Sequence, residues 1–310
     1  MAPSFSVMYS YVRSRQLENT YSSDPKVGAW VVTAMRFAHG WGAPPESAWP
    51  YDGDASHWPP TEPPGVDEPA RKMRVGAYQR VRSLDECRIC LASQHPVQIA
   101  IRATSQWFSA PSGVIEFPTG GDDFVGSHSV LVVGYDDGAE RLKIMNSWGE
   151  HWGDHGYGYL PYDYFKLFLQ EAWMITTPYD SQPESRSKSG GLELEWGVPD
   201  IFGGVLHGVE IYSSASDDYL GWGFGVVRDG CFDVEELFVK PNNRRTGIGT
   251  RLASLLSSRA SALNLPIRLW VPHADVNSSN LATFARLVKR LGLTIKPSDA
   301  LWASYAASTK

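Results

Sequence analysis

Gly126-Ser127-His128-Ser129-Val130-Leu131-Val132-Val133-Gly134-Tyr135, then Asp136-Asp137-Gly138, then Leu142-Lys143-Ile144-Met145-Asn146-Ser147-Trp148-Gly149 is the stretch around which the chain is organised. Its first segment is an apolar run of strand length, rich in β-branched residues and closed by a glycine, which predicts a buried strand. Asp137-Gly138 is a turn pair, so residues 142–145 are expected to return as an antiparallel partner. Residues at the outer ends of two hairpin strands lie side by side, which sets His128 near Asn146. An imidazole held by a carboxamide is two-thirds of a Cys-His-Asn nucleophilic site.

The continuation, Asn146-Ser147-Trp148-Gly149-Glu150-His151-Trp152-Gly153-Asp154-His155-Gly156-Tyr157-Gly158-Tyr159-Leu160-Pro161-Tyr162, resembles the closing half of papain-family cysteine peptidases. The resemblance implies His128 as the base that keeps a cysteine as thiolate, Asn146 as the group that fixes the imidazole, and Trp148 as a cover keeping water from the His-Asn bond. It also implies helices first and a β-rich part later. The sequence agrees: helix patterns at 4–17 and 27–39, the latter ended by Gly40, precede an irregular, proline-rich run from Trp41 to Pro69. A strand at 73–81, a helix with Ser83 as N-cap and Glu86 as its capping-box partner, and a strand at 95–101 follow. The resemblance covers residues 4–177.

The nucleophile helix of the family is not matched. In that family the His follows the Cys by about 130–150 residues, and counting back from His128 passes Met1. Cys87 and Cys90 lie only about 40 residues before His128, and Cys231 follows it. Their helix places Leu84, Cys87 and Leu91 on one face with Cys90 beside them, a core rather than a redox pattern. The oxyanion-hole Gln, which precedes the Cys in the family pattern, has no counterpart either. His151, Asp154 and His155 sit among Gly149, Gly153 and Gly156 and predict a loop, not a metal site.

With 310 residues, 43% of them hydrophobic, the chain is long enough for two cores. Acidic residues outnumber basic ones up to Gly191 and equal them after it, which argues against nucleic-acid or anionic-membrane partners. No apolar run approaches the ~20 residues of a membrane span, and the N-terminus does not read as a signal peptide. Three cysteines suit a reducing compartment, so a cytoplasmic setting is expected.

Residues 178–191 are polar and rich in Ser, Pro and Gly, the composition of a linker. Beyond it, strands at 205–212, 221–228 and 232–239 are expected. In the last, apolar Phe232 and Val234 fall on even positions and Leu237 and Val239 on odd ones, which requires a β-bulge near Glu235-Glu236. Arg244-Arg245-Thr246-Gly247-Ile248-Gly249-Thr250 then opens a helix, a geometry suited to an anion. This motif resembles the GNAT acetyltransferases. That resemblance implies acetyl-CoA against Leu237, Phe238 and Val239, its pyrophosphate on the amides of Arg245 to Thr250 with Arg244 and Asn280 assisting. The bulge is expected to turn Glu235 or Glu236 toward the thioester cleft, where either serves as base. A strand at 267–271 and a helix at 281–291 complete the pattern, with Val288 where the family often has a Tyr acid.

The expectation is therefore an α+β chain: a truncated papain-like domain over 1–177, a linker over 178–191, and an α/β GNAT domain with a mixed, bulged sheet over 192–310. The expected activity is N-acetylation of a small-molecule or peptide amine from acetyl-CoA. The alternatives are a cysteine peptidase whose N-terminal segment with the catalytic Cys lies outside this sequence, or a non-catalytic peptide-binding module.

Overall fold

The computed structural model of the 310-residue chain describes residues 4–21, 24, 26–118, 124–177, 193–213, 218–270 and 286. Two compact units emerge, the first holding the described residues 4–177 and 199–204, the second 193–198 and 205–270. The linker at 178–191, Asn280, the Val288 slot and, apart from the helical Arg286, the helix at 281–291 lie outside the described residues.

The first unit opens with α1 (Val7–Leu17) and α2 (Val31–Gly40). Ser6 caps α1 by accepting the Tyr9 amide at 3.0 Å. α2 starts four residues later than its apolar pattern predicts, because its N-terminal amides find carboxylates only from Trp30 onward. The Trp30 amide donates to Glu18 at 2.9 Å and the Val32 amide to Glu171 at 3.1 Å. Gly40 is still helical, and the stop is Gly42 at φ +86°, whose amide returns to the Phe37 carbonyl at 2.8 Å. A Cβ at Gly42 would lie 1.9 Å from the Ala70 carbonyl oxygen, so only glycine fits there. Met8, Tyr9, Val12, Phe37 and Trp49 form a helical core with Val66 and Ala70 of α3 (Asp67–Arg71) and its approach.

Six strands follow in the order β1-β6-β2-β3-β4-β5. They are β1 (Ala77–Arg80), β2 (Val97–Thr104), β3 (Phe124–Asp136), β4 (Arg141–Met145), β5 (Tyr157–Pro161) and β6 (Leu169–Thr177), with α4 (Leu84–Ala92) between β1 and β2 and α5 (Tyr162–Phe168) between β5 and β6. The inward residues of β2, Val97, Ile99 and Ile101, meet Val130, Val132, Leu142, Ile144, Leu160 and Met174 in one core, closed by Cys87 and Cys90 of α4 and Tyr164 and Phe165 of α5. Ser83 caps α4 as expected, accepting the Glu86 amide at 3.1 Å. Glu86, however, reaches past the cap to the Arg82 amide at 2.7 Å and also takes the Arg82 guanidinium. β3 is buried only at Val130 and Val132. Its outer half is exposed, with Val125 at 50%.

Among its described residues, the second unit is a sheet in the order β11-β10-β9-β8-β7 with the helix α6 packed on it. Its elements are β7 (Glu193–Pro199), an alternating strand absent from the expectations above, β8 (Val205–Tyr212), β9 (Tyr219–Arg228), β10 (Cys231–Val239), α6 (Ile248–Ala262) and β11 (Ile267–Leu269). β10 runs antiparallel to β9 and parallel to β11. The register against β9 shifts between Val234 and Glu236, so Glu235 is the inserted residue. Phe232 and Val234 before the bulge, and Leu237 and Val239 after it, consequently all pack on the core shared with Leu252, Leu255 and Leu256 of α6.

Candidate active site

β3 carries His128 opposite Ile101 of β2, and the β3–β4 ladder pairs Leu131 with Met145. Extending that register by one residue sets Asn146 opposite Val130, which makes His128 its diagonal neighbour on the core-facing side of the sheet. The two side chains meet there: His128 Nε2 lies 2.8 Å from Asn146 Oδ1. The Asn146 amide donates to the Gly156 carbonyl at 2.9 Å, holding the end of β4 against the returning loop.

The protonation pattern follows from one further bond. The Ser147 amide donates to Asn146 Oδ1 at 2.8 Å, so the atom facing it has to be the carboxamide oxygen. That oxygen can only accept, and His128 Nε2 must therefore carry the hydrogen. Nδ1 keeps its lone pair and is the basic nitrogen. Burial pushes the imidazole below its ordinary pKa, more than the Asn146 hydrogen bond raises it. A neutral amide partner orients the ring without adding a charge.

Aromatic rings surround the pair. Trp148 stacks on the imidazole with ring centres 4.6 Å apart and planes 29° apart, and Phe108 stacks on Trp148 at 5.2 Å and 16°. Trp107, fully buried, meets His128 edge-on at 5.8 Å. Its Nε1 donates to the Tyr164 hydroxyl at 3.0 Å, which donates to the Arg102 carbonyl at 2.8 Å. Trp152 Nε1 donates to the Trp107 carbonyl at 2.7 Å and ties the loop after Asn146 to the turn after β2. In that loop Asp154 accepts the Tyr159 hydroxyl at 2.6 Å, and His151 and His155 lie in the same irregular stretch. Phe108, Trp107 and Tyr164 escaped the sequence reading. They come from elements distant in the chain and carry no motif of their own.

Cys87 and Cys90 are fully buried, and burial drives the Cys87 thiol up to about 12. Cys90 Sγ contacts Met174 Sδ at 3.3 Å. Met174 follows Trp173, which pairs with Gln98, whereas His128 pairs with Ile101. At about 3.3 Å per residue that is roughly a 10 Å displacement along the sheet. Neither thiol belongs to the His128 site. Cys231 belongs to the second unit.

The residues expected to hold acetyl-CoA have structural work instead. Gly247 caps α6 at φ +91° and Gly249 leaves α6 close to β10, where a Cβ would meet Val239 Cγ2 at 3.4 Å. Ile248, Leu237 and Val239 pack on the second core, and Phe238 is buried against Trp222 at 4.8 Å. Arg244 donates to the Val239 carbonyl at 3.3 Å, Thr246 donates to the Asn243 carbonyl at 2.6 Å, Arg245 holds φ +66°, and the Thr250 carbonyl accepts the Ser254 hydroxyl at 2.9 Å. Glu235 is 2% exposed and paired with Arg228 at 2.9 Å, and Glu236, equally buried, accepts the Leu237 amide at 3.0 Å. A carboxylate neutralised by a buried guanidinium is not a ready base.

Comparison with known proteins corrects the activity in the same direction. Residues 20–166 match the profile of the papain family cysteine proteases. An uncharacterized peptidase C1-like protein of Acanthamoeba polyphaga mimivirus is 25% identical over 182 residues, which is 54% of this chain and 57% of that protein. Chymopapain of Carica papaya is 30% identical over 135 residues, 42% of this chain and 36% of chymopapain. The chain thus spans roughly a third to somewhat over half the length of these relatives. Among solved structures, xylellain, a cysteine protease from Xylella fastidiosa, is 30% identical with a TM-score of 0.51, covering 56% of this chain and 70% of that one. The matching family model and xylellain are those of cysteine proteases, and the acetyltransferase and acetyl-CoA expectations fall. With that identity over more than two thirds of a solved cysteine protease, on a first unit of papain-like α+β fold, the chain belongs to the papain family of cysteine proteases.

Proposed function

We propose that the first unit supplies the base half of a thiol peptidase site, with His128 as general base and acid and Asn146 as its positioning partner. The observation that carries the reading is the 2.8 Å His128 Nε2–Asn146 Oδ1 hydrogen bond beneath Trp148. With Nε2–H committed to Asn146, the Nδ1 lone pair takes the proton of a cysteine thiol. The thiolate adds to the peptide carbonyl carbon, and the imidazolium returns the proton to the departing amine. Water, deprotonated at the same Nδ1, then adds to the thioester, and collapse releases the carboxylic acid and the thiol. In this reading the nucleophile is a cysteine other than Cys87, Cys90 and Cys231.

The test is an epoxysuccinyl thiol probe applied to the protein expressed from its whole open reading frame, with the labelled peptide mapped. A fourth cysteine should be modified, His128→Ala should abolish labelling, and Asn146→Ala should slow it by about tenfold or more. Labelling confined to Cys87, Cys90 or Cys231, labelling that survives His128→Ala, or no labelling at all would each refute the reading.

A further inference from the structure

Arg102 lies near the outer end of β2, one residue beyond Ile101, and pairs across the ladder with Ser127, the residue before His128. Ile101 is fully buried, so the alternation of β2 turns Arg102 to the opposite face of the sheet, where it is exposed. Its backbone is fixed, because its carbonyl accepts the Tyr164 hydroxyl at 2.8 Å. Its guanidinium carbon lies 3.9 Å from the centre of the Phe124 ring, and Phe124 in turn leans on Phe168 at 5.0 Å. A planar cation resting on an aromatic face loses little freedom when it binds, and its outer N–H groups keep the fork that matches a carboxylate. No carboxylate among the described residues takes that fork. Glu171, on the neighbouring strand opposite Ala100, is buried and turned to the Val32 amide instead. One step along adjacent strands separates the Arg102 and His128 backbones by about 6 Å, and side chains leaving opposite faces put the guanidinium roughly 10 Å from the imidazole. About three extended residues span that distance.

We propose that Arg102 is a specificity-determining residue that reads an acidic side chain of the peptide substrate, within about three residues of the scissile bond. The proposal rests on the reading of His128 as the base of a peptidase site. Two parallel N–H···O bonds from the guanidinium hold the Asp or Glu carboxylate, and Phe124 holds the plane of the guanidinium. Arginine stems also cover apolar rings with no further role. A plain cover for Phe124 gives substrate charge no reason to matter, and there the two roles part.

The experiment is a position-scanning peptide library cleaved by the protein expressed from its whole open reading frame, followed by kcat/KM for matched peptides that carry Glu, Gln or Lys at the selected position. Wild type should favour Glu over Gln by about tenfold at one position within about three residues of the cleaved bond, and the preference should shrink as salt is raised. Arg102→Gln should remove the preference and leave kcat/KM for the Gln peptide within about twofold of wild type. Arg102→Glu should invert it in favour of Lys at the same position. Equal turnover of Glu and Gln peptides by wild type, a preference that survives in Arg102→Gln, or an equal loss on both peptides in that variant overturns the proposal. A protein that cleaves no library peptide and takes no thiol probe sinks the base reading, and Arg102 with it, a failure visible before any Arg102 variant is made.

Discussion

Glu171→Gln should leave the stability of the first unit unchanged in mild acid and raise it at neutral and alkaline pH. Glu171 is 4% exposed on β6, accepts the Val32 amide at the start of α2, and has Oε1 buried without a hydrogen-bond partner. Burial raises its pKa from 4.5 to about 7, against the lowering pull of the α2 amides and Arg36. A folded pKa above the unfolded value means that the folded state holds the proton more tightly. The stabilisation is complete below the unfolded pKa and is lost as pH climbs through about 7. The span is worth ~3 kcal/mol, the cost of keeping the ionised carboxylate buried. Glutamine keeps an oxygen for the Val32 amide and never ionises. Urea unfolding followed by tryptophan fluorescence should give matching midpoints near pH 5, and a midpoint about 1 M or more higher for Glu171→Gln near pH 8. A wild-type-to-variant difference that does not change over that range, or that grows toward acid, would refute the reasoning.

Two further outcomes test other parts of the structure. Gly153→Ala, at φ +60° with its added Cβ 2.3 Å from the Tyr157 carbonyl oxygen, should cost about 2 kcal/mol or more and loosen the loop that carries Trp148; a thermal shift within error of wild type would contradict this. Arg228→Ala should destabilise the second unit by ~3–5 kcal/mol by leaving Glu235 buried without its 2.9 Å partner, as hydrogen exchange in β9 and β10 would report. Unaltered exchange there would mean that the pair carries no net stability.

What the residues disclose before folding is local. A turn pair and two strand patterns are enough to bring His128 and Asn146 into adjacency, and a slip in alternation between Val234 and Leu237 places the bulge near Glu235-Glu236, where the register shifts at Glu235. The late start of α2 was not visible, because its amides are met by Glu18 and by Glu171, the latter far along the chain. β7 alternates Leu194, Trp196 and Val198 with Glu193, Glu195 and Gly197, so its period is legible in the sequence even though the expectations above place no strand there. The glycines at 247 and 249 suggest an anion they could approach, whereas at Gly247 a left-handed cap accounts for the glycine without one. Glycine marks where a backbone needs room, and that signal does not say what fills the room.

The parallel contact between Trp148 and His128 also has an optical consequence. An imidazolium accepts an electron from an excited indole far more readily than the neutral ring does, so Trp148 must dim whenever His128 takes up a proton 4.6 Å away. The emission difference between wild type and Trp148→Phe, followed against pH, is then a titration curve of His128, separated from the other indoles. The molecule carries its own indicator dye, and the charge on His128 can be followed in real time without adding a label.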